Sequence, residues 1–202
     1  MDNSALFKIG YGLYVLTAKD GSKDNGCIVN TVMQVTDSPL VIALGVNKRN
    51  YTHDMIMKTK EFNVSVLDVN SKFSIFQNFG FQSGRDADKF ADFKAVKRSE
   101  NGLLYVTENT NAYISGKVLE AIDFGTHTLF KAEVSNAESL SNQDTLTYSD
   151  YHKHVKPAPK PAEKSGWRCK ICGYVYEGDP LPADYICPIC KHGAADFERI
   201  TV

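Results

Sequence analysis

The 202-residue chain lacks any long apolar run: its longest, residues 39–46, is far short of the roughly 20 residues a membrane-spanning helix needs. The opening MDNSALFKIG carries Asp2 and no apolar stretch like that of a secretory signal, so a cytoplasmic location is expected. Positive charge is not in surplus either. Lys and Arg number 23 against 24 Asp and Glu, a formal net charge of −1, which offers no basic surface to track a nucleic-acid backbone. Neither nucleic acid nor a membrane is an expected partner. No G-x-G-x-x-G follows a strand-like segment, so a Rossmann dinucleotide site is not expected. Cysteine is scarce: there are five, and an odd number cannot pair completely. Tight Cys-x-x-Cys pairs in a chain without a leader favour metal or redox chemistry over structural disulfides.

Four of those cysteines stand together in CKICGYVYEGDPLPADYICPIC, as Cys169, Cys172, Cys187 and Cys190, with fourteen residues between the two pairs. Two such knuckles offer four soft thiolates in tetrahedral array, which suits zinc or iron, and spacing alone does not choose between them. Cys27 stands apart and reads as a small buried residue.

Composition marks one boundary. Residues 152–164 hold four lysines against one glutamate, with prolines at 157, 159 and 161 and no hydrophobic periodicity. Such a stretch should be an extended, solvated linker between a larger unit, residues 1–151, and a small one, residues 165–202. Fully extended in polyproline form at about 3.1 Å per residue, residues 156–166 would reach roughly 34 Å.

Before the linker the pattern is mainly β. GLYVLTA and CIVNTVMQVT flank the turn-rich KDGSKDNG, which predicts a hairpin loop. PLVIALGV, FNVSVL, LLYVT, AYISGKVLEAI and HTLFKAEV follow, rich in β-branched and aromatic residues. The set should close into a barrel. Two helices interrupt it: one opens near Thr52 with Asp54 in its first turn, the other near Ser71, with Phe73 and Phe76 on an apolar face and Gly80 as a stop.

GCIVNTVMQVTDSPLVIALGVNKRNYTHDMI, then FGFQSGRDADKF, then DFGTHTLFKAEV, resemble in order the motifs of the flavin reductase-like proteins. The resemblance implies an FMN-binding split β-barrel with Greek-key topology and short helices, in a homodimer with FMN near the interface. It places Asn30 and Thr31 along the isoalloxazine ring, largely through backbone contacts, and brings His127 toward the site from a later strand as the one candidate for a catalytic part. Elementary chemistry agrees at the phosphate. Asn47, Lys48, Asn50 and Thr52 lead into a helix start, where free N–H groups, the helix dipole and a lysine can hold an anion. Ser83 and Arg85, in SGRD, add a further polar group and a bidentate cation. Without the resemblance, Asn47 and Asn50 would be ordinary turn residues, Thr52 an N-cap and His127 a structural histidine.

WRCKICGYVYEG and YICPICKHGAADFE resemble a rubredoxin with a shortened middle loop. That implies one iron held by Cys169, Cys172, Cys187 and Cys190, shielded by Trp167, Tyr174, Tyr176, Tyr185 and Phe197. One departure stands out. Gly173 follows the first knuckle, but Lys191 follows the second, where a left-handed backbone costs a non-glycine residue about 1 kcal/mol. The whole chain resembles the high-molecular-weight rubredoxins of anaerobic bacteria. The resemblance implies an electron relay from an NAD(P)H-oxidising flavoprotein, through FMN and iron, to a flavodiiron protein that reduces nitric oxide or dioxygen. Two other readings stay open: a self-sufficient NAD(P)H:flavin reductase, and a flavoprotein whose C-terminal unit is a zinc ribbon that binds a partner.

Overall fold

The computed structural model describes residues 2–157 and 166–200, in two units, Met1–Lys156 and Pro157–Val202. The linker expected over residues 152–164 lies mostly outside the described residues. Its first residues are not extended: Tyr151–Val155 form a short helical turn in which Tyr151 is buried and its ring lies 4.4 Å from that of Phe76. Lys and His dominate that turn, so no apolar period announces it.

In the first unit the strands are β1 (Tyr14–Asp20), β2 (Lys23–Val29), β3 (Val32–Asp37), β4 (Leu40–Asn47), β5 (Glu61–Leu67), β6 (Val96–Arg98), β7 (Leu104–Val106), β8 (Thr110–Asp123) and β9 (His127–Ser139). Seven of them make one antiparallel sheet in the order β2-β1-β5-β8-β9-β4-β3, while β6 and β7 pair separately. The segment CIVNTVMQVT, expected as one strand, is therefore two, and they lie at opposite ends of the strand order. Only Asn30 and Thr31 separate Val29 from Val32. Three Cα steps of about 3.8 Å cannot span more than roughly 11 Å, so the two edges must come together and the sheet must curl. The result is a split barrel, open at that step. Because β9 and β8 stand between β4 and β5, the connections cross in Greek-key fashion.

The loop expected from KDGSKDNG is also smaller than its composition suggests. The turn is Gly21–Ser22 alone, with Gly21 at φ +59° and Asp20 paired to Lys23 in register. The polar residues around it belong to strands because partners satisfy them: Asp20 meets Lys58 at 2.7 Å, and Asp24 meets Arg98 at 2.8 Å.

Successive residues of β1 face opposite ways. Leu16 enters the barrel core with Leu44, Val46, Phe62, Val64 and Phe130. Val15 joins a second core outside, with Ile75, Phe76, Phe79 and Leu146. Helix α1 (Tyr51–Thr59) closes the first core through Met55 and Ile56, and α2 (Phe73–Gly80) covers the second. Helix α1 carries Asp54 in its first turn and α2 ends at Gly80, both as the sequence suggests. No described helix is long and apolar enough to cross a membrane.

The second unit has three short strands, β10 (Gly166–Cys169), β11 (Val175–Tyr176) and β12 (Phe197–Ile200), in the order β11-β10-β12. Its core is small: Cys169, Cys187 and Phe197 are buried, with Trp167, Tyr174, Tyr176 and Tyr185 packed around them.

Candidate flavin and iron sites

Strand β4 ends at Asn47 and α1 begins at Tyr51, so the connection between them presents the helix start at the barrel end. Asn47 Oδ1 accepts from the Arg49 N–H at 2.9 Å, and the Asn50 N–H donates to the Asn47 carbonyl at 3.0 Å, folding the turn tightly. Asn50 is the N-cap, but its side chain caps nothing, which leaves first-turn N–H groups for an anion. Cations gather there. Arg85 lies 5.0 Å and Lys23 4.8 Å from the ring centre of Tyr51, and Lys48 stands two residues before Asn50. Ser83 Oγ accepts from the Arg85 N–H at 3.2 Å and so shapes the loop that carries the guanidinium.

Arg85 is aimed by Asp54, Nη2 to Oδ2 at 2.5 Å, while His53 Nδ1 lies 3.1 Å from the other carboxylate oxygen. Burial pushes the Asp54 carboxyl up, but the hydrogen bonds from Arg85 and His53 outweigh it and hold the group below its ordinary value. His53 Nε2 is 2.8 Å from Thr128 Oγ1, which ties the helix to β9. Lys48 is held by Asp123 at 2.6 Å, and that hydrogen bond draws the Asp123 carboxyl down.

The sequence-derived residues come together here, with one difference of role. Asn47 pairs across β4 and β9 with His127, whose Nδ1 is 2.9 Å from Thr126 Oγ1. Asn30 and Thr31 form the step between β2 and β3, and Thr31 Oγ1 donates to the Gly45 carbonyl at 2.7 Å, two residues from Asn47. Thr52 is fully buried and accepts from Asn25 Nδ2 at 2.9 Å. Its side chain braces the helix start from within instead of facing a ligand. The sequence marks Asp54 only as a first-turn residue of the helix, and it does not mark Asn25, Tyr51, His53, Lys89 or Thr128. Each matters through contacts with residues far away in the chain, and no local pattern marks them.

In the second unit two knuckles repeat one geometry. The Gly173 N–H donates to the Cys169 carbonyl at 2.8 Å and the Lys191 N–H to the Cys187 carbonyl at 3.0 Å. Gly173 takes φ +80° and Lys191 φ +64°, so the strained position foreseen for the lysine is real. All four sulfurs lie within 4.8 Å of one another, with Cys169–Cys190 at 3.5 Å and Cys172–Cys187 at 3.4 Å. A tetrahedral ion with metal–sulfur bonds of about 2.3 Å needs sulfurs roughly 3.8 Å apart, so the cage fits. Its thiols do not ionise independently. Hydrogen bonds from Cys172 and Cys190 hold Cys169 far below its ordinary value, while contact with Cys169 pushes Cys172 up to about 12 and Cys190 well above its ordinary value. A cation in the cage is what lets all four lose their protons. Tyr185 shields it, its ring 4.5 Å from Tyr176 and 5.4 Å from Phe197, and its hydroxyl donates to Tyr174 at 3.2 Å.

Comparison with known proteins completes the assignment. Residues 6–157 match the flavin reductase like domain family, and residues 167–198 match the rubrerythrin, rubredoxin-like domain. The high molecular weight rubredoxin of Moorella thermoacetica is 38% identical over 230 residues, covering 99% of this chain and 100% of that protein. The chain belongs to the high molecular weight rubredoxin family. As a member it is an oxidoreductase whose barrel binds flavin and whose four-cysteine cage holds one iron. The ferric-chelate reductase (NAD(P)H) of Archaeoglobus fulgidus is 40% identical over 152 residues, covering 75% of this chain and 89% of that one. Among solved structures the NADH:FAD oxidoreductase of Streptomyces globisporus has the same fold, with a TM-score of 0.65 at 22% identity over 72% of this chain and 86% of that one.

Proposed function

We propose that this chain relays electrons from an NAD(P)H-oxidising flavoprotein, through FMN and the iron, to a flavodiiron-type reductase of nitric oxide or dioxygen. The carrying observation is the join itself: a flavin barrel and a one-iron cage in a single chain, with Cys172 and Cys190 only half-buried at the cage's edge. Flavin accepts electrons in pairs and releases them singly, whereas one iron passes a single electron at a time.

The residues supply binding and orientation. The uncapped start of α1, with Lys48, Asn47, Asn50 and the Ser83–Arg85 loop, holds the phosphate. The backbone at Asn30 and Thr31 lies along the ring, and His127 borders the reacting edge. The half-buried sulfurs give a short path for electrons to leave. A second copy of the chain is expected beside this site. Met33, Val35, Leu40, Leu119, Ile122 and Phe124 are all exposed, and covering such side chains suits a homodimer. A monomer in sedimentation at micromolar concentration would sink that part. Iron–thiolate centres persist in a reducing compartment, which fits the cytoplasm, and cell fractionation tests it.

The donor decides between this reading and a self-sufficient reductase, which the name of the Archaeoglobus relative favours. The purified chain alone should oxidise NAD(P)H only slowly. Adding an NAD(P)H-oxidising flavoprotein and a flavodiiron acceptor should start steady consumption of both NAD(P)H and nitric oxide or dioxygen. Equally fast turnover by the chain alone would replace the relay with direct reduction.

A further inference from the structure

Lys89 is 4% exposed, and among the described residues no carboxylate pairs with it. Its ammonium donates to the Gly26 carbonyl at 2.8 Å and the Phe79 carbonyl at 2.9 Å. Phe79 lies in the last turn of α2, so the negative end of a helix dipole helps. Two carbonyls solvate an ammonium without neutralising it, and a whole buried charge lacking a counter-ion is costly. Cys27, its electrostatic neighbour, does not supply the charge. Burial pushes that thiol up, against the Thr52 hydrogen bond and the Lys89 charge that draw it down, so it stays protonated at neutral pH.

The same contacts lead to the anion site. Asn25, two residues before Cys27 in β2, donates to Thr52 in the first turn of α1 at 2.9 Å. Asn25 Oδ1 lies only 2.0 Å from where a Cβ on Gly84 would sit, so that glycine lets the loop bearing Arg85 close onto it. The ammonium thus holds the Gly26 carbonyl next to Asn25, and Asn25 touches both elements that frame the anion site: the start of α1 at Thr52 and the residue 83–85 loop at Gly84.

We propose that Lys89 is a buried counter-charge for the flavin's phosphate, acting from inside the fold without touching the ligand. It rests on the phosphate placement proposed above. In the flavin-free chain burial draws the Lys89 group below its ordinary value, the cost of a charge that only two carbonyls solvate. When the dianion enters, the field of that charge becomes favourable, and low-dielectric surroundings screen it little. Lys89 therefore favours the phosphorylated flavin over one without phosphate.

Two variants and one control test this. Lys89→Gln keeps donors for the two carbonyls and removes the charge, and Lys89→Met removes both. Each is melted without flavin and titrated with FMN and with riboflavin, beside Arg85→Ala. Lys89→Gln should melt at or above the wild-type temperature, bind FMN about tenfold more weakly through the lost long-range attraction, and bind riboflavin within about twofold of wild type. Equal weakening of both flavins, unchanged FMN affinity, or failure of both variants to fold without flavin would overturn the proposal. FMN-selective loss in Arg85→Ala but not in Lys89→Gln removes Lys89 and keeps the phosphate site. No selective loss in either removes the site as well.

Discussion

Cys187→Ser will abolish iron binding and unfold the second unit while leaving flavin in place. Cys187 is fully buried, its sulfur is 3.4 Å from that of Cys172, and its backbone anchors the second knuckle through Lys191 and His192. The three buried residues of the unit's hydrophobic cluster, among the described residues, include two of the metal-binding cysteines, so the metal replaces most of a conventional core. Domains below about 40 residues usually need such a staple, and a structural metal contributes on the order of 10 kcal/mol to folding. The barrel has its own interior, built on Phe62, Phe130 and Leu44, all fully buried. Visible spectra should lose the ferric–thiolate bands and keep the flavin bands, and the barrel's melting transition should not move. Loss of flavin with the iron would show that the barrel depends on the second unit.

Arg85→Ala has the next largest expected effect, on flavin affinity. Half-exposed ion pairs like that of Arg85 with Asp54 contribute at most about 1 kcal/mol to stability, so the fold should hardly notice. A charge-assisted contact to phosphate is worth about 1.5 to 3 kcal/mol, so FMN should bind roughly 10- to 100-fold more weakly while riboflavin is spared. The wild-type pair carries a pH signature. Asp54 is held below its ordinary value, so the pair's contribution is complete above the unfolded value of 3.8 and is lost as pH falls through the lower folded value. In Arg85→Ala that loss should begin at higher pH, which titration of the Asp54 carboxyl by NMR can follow. An unchanged titration would mean that Arg85 does not hold Asp54.

What could be read from the sequence was whatever chemistry or period writes locally. The four cysteines carry their own spacing, and the strand-to-helix turn at Asn47–Thr52 is written in turn and cap residues. The strands Leu40–Asn47 and Glu61–Leu67 appear as apolar, β-branched runs because both of their faces are largely covered, whereas the first half of His127–Ser139 shows the alternation of a strand with one open face, Thr128, Phe130 and Ala132 buried and Lys131 and Glu133 exposed. Tertiary contacts decide the rest. Nothing in CIVNTVMQVT announces a break at Asn30–Thr31, because the break serves barrel closure, and the apolar pattern continues through it. The polar residues of KDGSKDNG suggest a long loop, yet Lys58, Arg98 and Thr52 satisfy Asp20, Asp24 and Asn25 within strands. Strand β6 is three residues long and too short for a period to show. Asp54 and Lys89 look like ordinary surface charges in sequence, and only the fold places one against Arg85 and buries the other.

The most direct measurement is the rate of electron transfer from reduced flavin to iron, followed by rapid-mixing spectroscopy in the intact chain and in a chain cut within residues 158–165. Intact chains at about 1 μM should reduce their iron at a rate independent of concentration, because joining the two units in one chain supplies an effective concentration near millimolar. The severed halves should be slower by on the order of a hundredfold or more when dilute, and should recover as their concentration rises. Equal rates for the cut and intact chains at about 1 μM would contradict an internal relay.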